Sequence, residues 1–137
     1  MEGLTKGLKG CRRFVTKPEH SARHVSSGDV EVLSTPSMIA FMEETCRLLV
    51  EDRLPKGYTT VGTYVSIRHA SAAPIGVEVE VRAELLSVDG KRLTFWVEAW
   101  WGDRKLGQGL HERYVVSRSE FVNRLREVAL GSRPTST

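Results

Sequence analysis

The chain has 137 residues, enough for one domain with a sizeable core. It is mildly basic, with 20 Lys and Arg against 17 Asp and Glu. The charges are interspersed rather than grouped, which argues against a nucleic-acid-binding protein. No segment is apolar enough to span a bilayer, and the N-terminus lacks the apolar run of a signal peptide. We therefore expect a soluble cytoplasmic protein with no membrane partner. Its two cysteines, Cys11 and Cys46, do not make a disulfide framework.

The first half of the chain is predicted to form one short strand and one long helix. Residues Cys11–Thr16 indicate the strand, and the polar segment from His20 to Glu31 indicates a loop. Over Ser34–Leu54, apolar residues recur at helical spacing, namely Met38, Phe41, Met42, Cys46 and Leu49. We expect Thr35 to cap this helix, with Pro36 at its first position. The apolar stripe is wide enough for a helix that lies across a sheet.

The second half changes to an extended pattern that predicts four strands. These cover Thr59–His69, Val77–Leu85, Lys91–Trp101 and Lys105–Val116. Asp89-Gly90 and Gly102-Asp103 are typical of tight hairpin turns, and the alternation slips at Leu86, which indicates a bulge. On the outer face of the sheet, Trp96 and Trp100 predict a large apolar patch or a covering partner.

A short amphipathic helix is predicted at the C-terminus, from a cap at Ser117 to Gly131. We expect residues 132–137 to be a disordered tail. The order of elements predicts an α+β fold in a single domain over residues 1–131. One long helix would pack on a strongly twisted antiparallel sheet of about five strands.

Three residues in this arrangement can carry chemistry. Glu43 lies at the border of the apolar stripe, where a carboxylate loses hydration and can act as a base or nucleophile. His69 ends the strand after the helix, where an imidazole can act as an acid, a base or a donor to a carbonyl. Thr35, at the helix start, lies where negative charge is favoured. Each also has a structural interpretation: a half-exposed carboxylate, a histidine at a strand end and a helix cap.

Two further residues are candidates for substrate binding. Gly62 interrupts a strand, either as a bulge or to expose a backbone N–H to a ligand carbonyl. Arg113 shares a strand face with Gly107, Gly109 and His111, where its charge needs either Glu43 or a ligand anion unless the side chain is solvated. The sequence contains no paired metal-ligand spacing, phosphate-binding glycine loop or nucleophile-elbow motif. These residues alone do not decide the function.

The succession of motifs resembles hot-dog-fold acyl-CoA thioesterases, most closely the fluoroacetyl-CoA thioesterase subgroup. The helix carries T-x7-E, the next strand carries G-x6-H, and a small-residue turn with proline follows, ASAAPIG. The likeness extends over roughly Val32–Val116 and includes VRAELLSVDGKRLTFWVEAW and GQGLHERYVV. It implies a hot-dog fold, in which the sheet wraps the central helix, and homodimers formed through sheet edges.

The resemblance also implies roles for five residues. Thr35, Glu43 and His69 fall on the catalytic positions, whereas Gly62 and Arg113 fall on positions that contact the substrate. The implied reaction is hydrolysis of a small or medium acyl-CoA to a carboxylate and free CoA. No metal and no cofactor are expected beyond the coenzyme A of the substrate.

One feature departs from the family. Members selective for fluoroacetyl groups carry phenylalanines in the loop before the catalytic threonine, whereas HVSSGDVEVLS here contains no aromatic residue. We therefore expect a different acyl group. The alternative functions are a non-catalytic acyl-CoA or small-ligand binding module on the same fold and, less favoured because the central helix has no histidine, an acyl dehydratase.

The helix itself sets one geometric limit. Thr35 and Glu43 are about 12 Å apart along a regular helix and differ by roughly 80° around its axis. They cannot hydrogen-bond to each other there. Either they act on different parts of the substrate or the pocket combines residues of two chains, and we favour the second alternative, a pocket at a homodimer interface.

Overall fold

The computed structural model describes residues 3–131, and the predicted tail over 132–137 lies outside them. The elements in chain order are β1 (Lys9–Val15), α1 (Thr35–Glu51), β2 (Tyr58–His69), β3 (Glu78–Asp89), β4 (Arg92–Trp101), β5 (Arg104–Ser117) and α2 (Arg118–Gly131). A single 3₁₀ turn, Pro18–His20, interrupts the long connection between β1 and α1. Every predicted helix and strand is present, with ends shifted by at most four residues, the largest shift being at the end of β3.

The five strands form one antiparallel sheet in the order β1-β3-β4-β5-β2. This confirms the predicted α+β arrangement and leaves β1 and β2 as the two edges. The predicted bulge is confirmed by the register shift between Leu85 and Ser87. The first hairpin turn was misplaced by one residue: Asp89 pairs with Arg92, so the two-residue loop is Gly90 and Lys91.

The core lies between α1 and the inner face of the sheet. The buried residues of α1 include Met38, Met42, Cys46 and Val50, and they pack in one cluster with Val79, Val81, Leu93, Phe95 and Val97 of the sheet. A side chain at Gly107 would lie 2.7 Å from the Met38 methyl carbon. The absence of a side chain at Gly107 therefore allows the helix and the sheet to approach closely.

The crossover from β2 to β3 brings the end of β2 to the start of α1. The N–H groups of Ala70 and Ser71 donate to the carbonyl oxygen of Leu106 on β5, and the Leu33 N–H donates to the Ala73 carbonyl oxygen at 2.9 Å. The crossover is thus hydrogen-bonded both to the sheet and to the residues that lead into α1. These bonds bring two distant parts of the sequence, His69 and Thr35, into contact.

The outer face of the sheet is partly covered by side chains of the same chain. The indole N–H groups of Trp96 and Trp100 donate to the Glu98 carboxylate at 2.8 and 3.0 Å. The guanidinium of Arg82 lies 4.8 Å from the Trp100 ring centroid. The two tryptophans are half-buried, so polar and charged groups interrupt the predicted apolar patch.

The C-terminal helix α2 begins as predicted, because the Ser117 hydroxyl accepts from the Glu120 N–H at 3.4 Å. Its apolar stripe, however, buries no residue, and the Leu125 side chain is 55% exposed. None of the helices within residues 3–131 has the length and apolarity needed to cross a membrane.

Candidate functional site

The first part of the site is a direct contact between the start of α1 and the end of β2. Thr35 Oγ1 lies 2.7 Å from His69 Nδ1. The predicted cap at Thr35 is wrong: Ser34 is the N-cap, and its hydroxyl accepts from the Ser37 N–H at 3.0 Å. Because Ser34 satisfies the helix end, the Thr35 hydroxyl is available to His69.

His69 has the environment of a neutral, reactive imidazole. Burial lowers its pKa from the ordinary value, although a hydrogen bond with the backbone of Ser71 opposes this shift. Its Nε2 atom is buried and has no hydrogen-bond partner among residues 3–131. A buried nitrogen without a partner is costly, and a substrate or water that hydrogen-bonds to it would remove that cost.

The second part of the site surrounds Gly62 on β2. The strand register shifts between Gly62 and Tyr64, which confirms the bulge interpretation. A Cβ atom at Gly62 would lie 2.9 Å from Glu43 Oε2 and 3.4 Å from Arg113 Nη1. The absence of a side chain at Gly62 therefore keeps open the space between the carboxylate and the guanidinium.

A cavity of about 260 Å³ opens at this point. It is lined by Glu43, Glu44, Arg47, Gly62 and Arg113. Three of the five site residues predicted from the sequence thus lie together, while the other two form the contact between Thr35 and His69. The volume is of the order needed for a small acyl group.

Arg113 is a buried cation held by neutral partners, with only 5% of its surface exposed. Its Nε–H donates to Thr60 Oγ1 at 2.7 Å, and an Nη2–H donates to the Thr60 carbonyl oxygen at 3.0 Å. Within the described part of the chain, Arg113 forms no ion pair with a carboxylate, Glu43 included. The solvated interpretation of Arg113 is therefore wrong, and its charge remains available to a ligand in the cavity.

A further buried member of this cluster is His111, which the sequence places on the strand face of Arg113 but to which no role was assigned. Its Nε2 atom lies 3.1 Å from Arg113 Nη1, and its Nδ1 atom lies 2.9 Å from the Tyr64 carbonyl oxygen. The available signal was strand alternation, which places His111 on the same face as Arg113.

Cys46 packs beside this cluster but does not have the properties of a nucleophile. Burial raises the pKa of its thiol far above the ordinary value, even though the charge of Arg113 opposes the shift. The thiol is therefore protonated at neutral pH, as expected for a small buried hydrophobic residue. Within residues 3–131, no three His, Cys, Asp or Glu side chains are grouped closely enough to hold a metal ion.

The geometry thus contains two groups of reactive side chains at different positions along α1. A hydroxyl and an imidazole lie at the first turn of the helix. A carboxylate, a guanidinium and a glycine lie about two turns further along. Together they can supply a base, a proton carrier and hydrogen-bond donors for a developing oxyanion, which are the groups that acyl transfer to water requires.

Comparison with known proteins agrees with this chemistry. Residues 15–119 match the family model described as fluoroacetyl-CoA-specific thioesterase. The fluoroacetyl-CoA thioesterase of Streptantibioticus cattleyicolor is 33% identical over 132 residues, which cover 92% of this chain and 95% of the relative.

Solved structures show the same fold. A structure of a fluoroacetyl-CoA thioesterase has a TM-score of 0.87 at 32% identity, covering 92% of this chain and 98% of the other. A thioesterase superfamily member from Thermus thermophilus has a TM-score of 0.86 at 27% identity, covering 94% and 96% of the two chains. These matches confirm the hot-dog fold that the sequence motifs implied.

Proposed function

The chain belongs to the fluoroacetyl-CoA-specific thioesterase family and is an acyl-CoA thioester hydrolase, and we propose that Thr35, Glu43 and His69 carry out the hydrolysis. The observation that carries this assignment is the 2.7 Å contact between Thr35 Oγ1 and His69 Nδ1, next to an Nε2 atom that is buried without a partner. A binding module has no need for a half-buried, neutral imidazole paired with a hydroxyl.

In the proposed reaction, the acyl carbon gains an oxygen from water and its bond to the CoA sulfur breaks. The sulfur takes up a proton, and the products are a carboxylate and free CoA. Glu43 either removes a proton from the attacking water or attacks the acyl carbon itself, in which case water releases the acyl group in a second step. His69 carries the proton or polarises the carbonyl, and Thr35 positions water or serves as an alternative nucleophile.

Gly62 and Arg113 are the proposed substrate contacts. The Gly62 N–H stabilises the oxyanion that forms at the thioester carbonyl, while the buried guanidinium faces the acyl end of the cavity. We propose that hydrolysis needs no metal or cofactor beyond the coenzyme A of the substrate, because these groups supply both proton transfer and charge stabilisation. We therefore expect full turnover in the presence of a metal chelator.

The acyl group is proposed to be small or medium in size and different from fluoroacetyl. The open cavity of about 260 Å³ beside Gly62 has room for such a group. The loop before α1 has no aromatic side chain that could cover a small acyl group, and its residues 23–31 are exposed throughout. This loop therefore leaves the acyl pocket without the aromatic cover expected of a fluoroacetyl-selective enzyme.

The active unit is proposed to be a homodimer with its pocket at the interface. Strand β2 is an unpaired sheet edge, on which Tyr64 is 49% and Val65 is 45% exposed. Antiparallel pairing of two β2 strands, with the twofold axis between Val65 and Ser66, would set Gly62 of one protomer opposite His69 of its partner. Such pairing would join the two parts of the site across the interface.

A cytoplasmic location and a single domain over residues 1–131 complete the proposal. Cys11 and Cys46 are both free thiols, which fits a reducing compartment. Fractionation of cells, followed by detection of the chain, tests the location, and limited proteolysis tests the domain bounds.

The decisive experiment is a thiol-release assay with a panel of acyl-CoAs that includes short, branched, aromatic and halogenated acyl groups. Wild-type protein should release CoA from some of them, and Glu43→Ala should lower the rate by at least about a hundredfold, as expected for loss of a base. Glu127→Ala, which changes an exposed carboxylate on α2 far from the cavity in sequence, is the matched control and should retain most of the turnover. CoA esters that raise the melting temperature without being hydrolysed would favour the binding module instead.

A further inference from the structure

His111 is a titratable side chain that the proposed reaction does not use. It lies on β5, two residues before Arg113, and only 1% of its surface is exposed. A polar side chain at this depth must be hydrogen-bonded, and both ring nitrogens of His111 have partners.

These partners define the protonation state of the ring. An arginine guanidinium can only donate hydrogen bonds, so His111 Nε2 accepts from Arg113 Nη1 at 3.1 Å. A backbone carbonyl can only accept, so Nδ1–H donates to the Tyr64 oxygen at 2.9 Å. Only the neutral imidazole with its proton on Nδ1 satisfies both contacts.

The two partners belong to different parts of the site. Tyr64 borders the bulge of β2, where the register shifts next to Gly62. Arg113 supplies the guanidinium of the cavity and, among residues 3–131, its hydrogen-bond partners besides His111 are the two oxygens of Thr60. The imidazole therefore connects the strand that carries the glycine with the side chain that carries the charge.

We propose that His111 is a positioning residue for thioester hydrolysis: its neutral ring fixes the Arg113 guanidinium relative to the Gly62 bulge. This inference rests on the proposed function. With three N–H groups of Arg113 directed to His111 and Thr60, one hydrogen on Nη1 and one on Nη2 remain for the acyl end of the substrate. Without the ring acceptor, the two contacts with Thr60 alone hold the guanidinium, and the Nη1 donors lose their fixed direction.

The contact also makes the arrangement sensitive to acid. A proton on Nε2 would turn the acceptor into a donor that faces another cation, so Arg113 would be displaced. The charged groups that act on the ring are Arg113 and Glu112 from β5 and Glu43 from α1. On its remaining sides the ring meets the Tyr64 carbonyl of β2 and Phe95 of β4, which do not titrate.

The sign of the pH effect follows from the same neighbours. Burial lowers the pKa of His111, while its hydrogen bond to Tyr64 opposes the shift and the charge of Arg113 adds to it. The ring is therefore neutral near pH 7 and becomes protonated only below the ordinary histidine pKa of about 6.5. Positioning should be complete at neutral pH and lost as the pH falls through the lowered pKa.

Two amide substitutions separate the two hydrogen bonds. His111→Gln can place an oxygen near the Nε2 position and keep an acceptor for Arg113. His111→Asn can place an N–H₂ near the Nδ1 position and keep a donor for Tyr64, but it is too short to reach Arg113. We expect His111→Asn to lower kcat/KM roughly tenfold to a hundredfold, as a misdirected catalytic environment does, and His111→Gln to retain most of it.

A readout independent of folding comes from pH and from NMR. In the wild type, kcat/KM should fall in acid through protonation of both His69 and His111, and His111→Gln should remove the second contribution. Nitrogen NMR of the wild-type protein at pH 7 should show His111 protonated on Nδ1 and unprotonated on Nε2. Melting temperatures of both variants control for loss of folded protein.

Three results would overturn the inference. An Nε2–H tautomer at pH 7 would contradict the hydrogen-bond assignment. Equal losses of kcat/KM in the two variants, with the wild-type enzyme active, would give His111 a purely structural role. Wild-type protein that hydrolyses no acyl-CoA would overturn the proposed function and this inference with it.

Discussion

Two neighbouring hydroxyl groups at the start of α1 have different partners, and the difference can be measured. Ser34 accepts from the Ser37 N–H inside the protein, whereas Thr35 contacts the imidazole of His69. The first contact stabilises the helix, and we propose that the second takes part in hydrolysis.

We expect Ser34→Ala to lower the free energy of unfolding by about 1 kcal/mol through loss of the cap, with turnover per folded molecule unchanged. Thr35→Val keeps the branched shape but removes the hydrogen bond to His69. It should lower turnover at least about tenfold and leave stability nearly constant, because Thr35 is exposed. Denaturant unfolding and steady-state hydrolysis measure the two effects. A stable, fully active Thr35→Val would remove Thr35 from the mechanism.

The sequence alone could not decide which of these two residues caps the helix. Ser34 and Thr35 are both good caps, and helical periodicity does not fix the first residue of a helix to within one position. The choice depends on His69, which is 34 residues away in sequence and comes close only through the crossover. His111 was overlooked for a similar reason: its role depends on a carbonyl exposed by a bulge in another strand.

Among the elements, the bulge of β2 has the clearest consequence for function. It lies next to Gly62, where an added Cβ would be 2.9 Å from Glu43 Oε2 and 3.3 Å from His111 Cε1. The backbone at Gly62 does not have a positive φ, so a larger residue is not excluded by conformation. A larger residue is disfavoured because its side chain would fill the space between the Glu43 carboxylate and Arg113.

Gly62→Ala should therefore reduce kcat/KM by at least about tenfold, because the added methyl group would occupy space proposed for the substrate. The protein should stay folded, because the nearest displaced atom is at the end of the flexible Glu43 side chain. Gly131→Ala, with no atom within 4 Å of the added Cβ, is the control and should leave hydrolysis unchanged. Steady-state kinetics and the melting temperature are the measurements. Wild-type kinetics for Gly62→Ala would mean that the acyl group does not occupy this space.

The elements themselves were predictable because they depend on local periodicity and turns. The stripe of α1 and the alternation of β3 follow directly from residue spacing, and short hairpins join β3, β4 and β5 in chain order. The positions of β1 and β2 at opposite edges depend on contacts between distant residues, which periodicity does not contain. In helix α2 the sequence pattern is misleading in another way, because its apolar stripe predicts burial but none of its residues is buried.

For the whole molecule, the question is how two parts of one site cooperate across two turns of a helix. Within one chain, Thr35 and His69 are in contact, and Glu43 lies beside Gly62 and Arg113. Pairing of β2 edges in a homodimer would bring the first group of one protomer to the second group of its partner. A site shared between two chains can be distinguished from a site within one chain by combining two inactive variants in one dimer.

Chains with Glu43→Ala and chains with His69→Ala should each be nearly inactive alone. When the two are co-expressed with different affinity tags and purified through both, each heterodimer of a composite site has one pocket that lacks both residues and one intact pocket. We therefore expect about half the wild-type turnover per dimer. If each pocket takes both residues from one chain, every pocket of the heterodimer lacks one of them and turnover stays near zero. Sedimentation of the purified sample must show two chains for either result to count, and a monomeric wild type with full turnover would contradict the dimer itself.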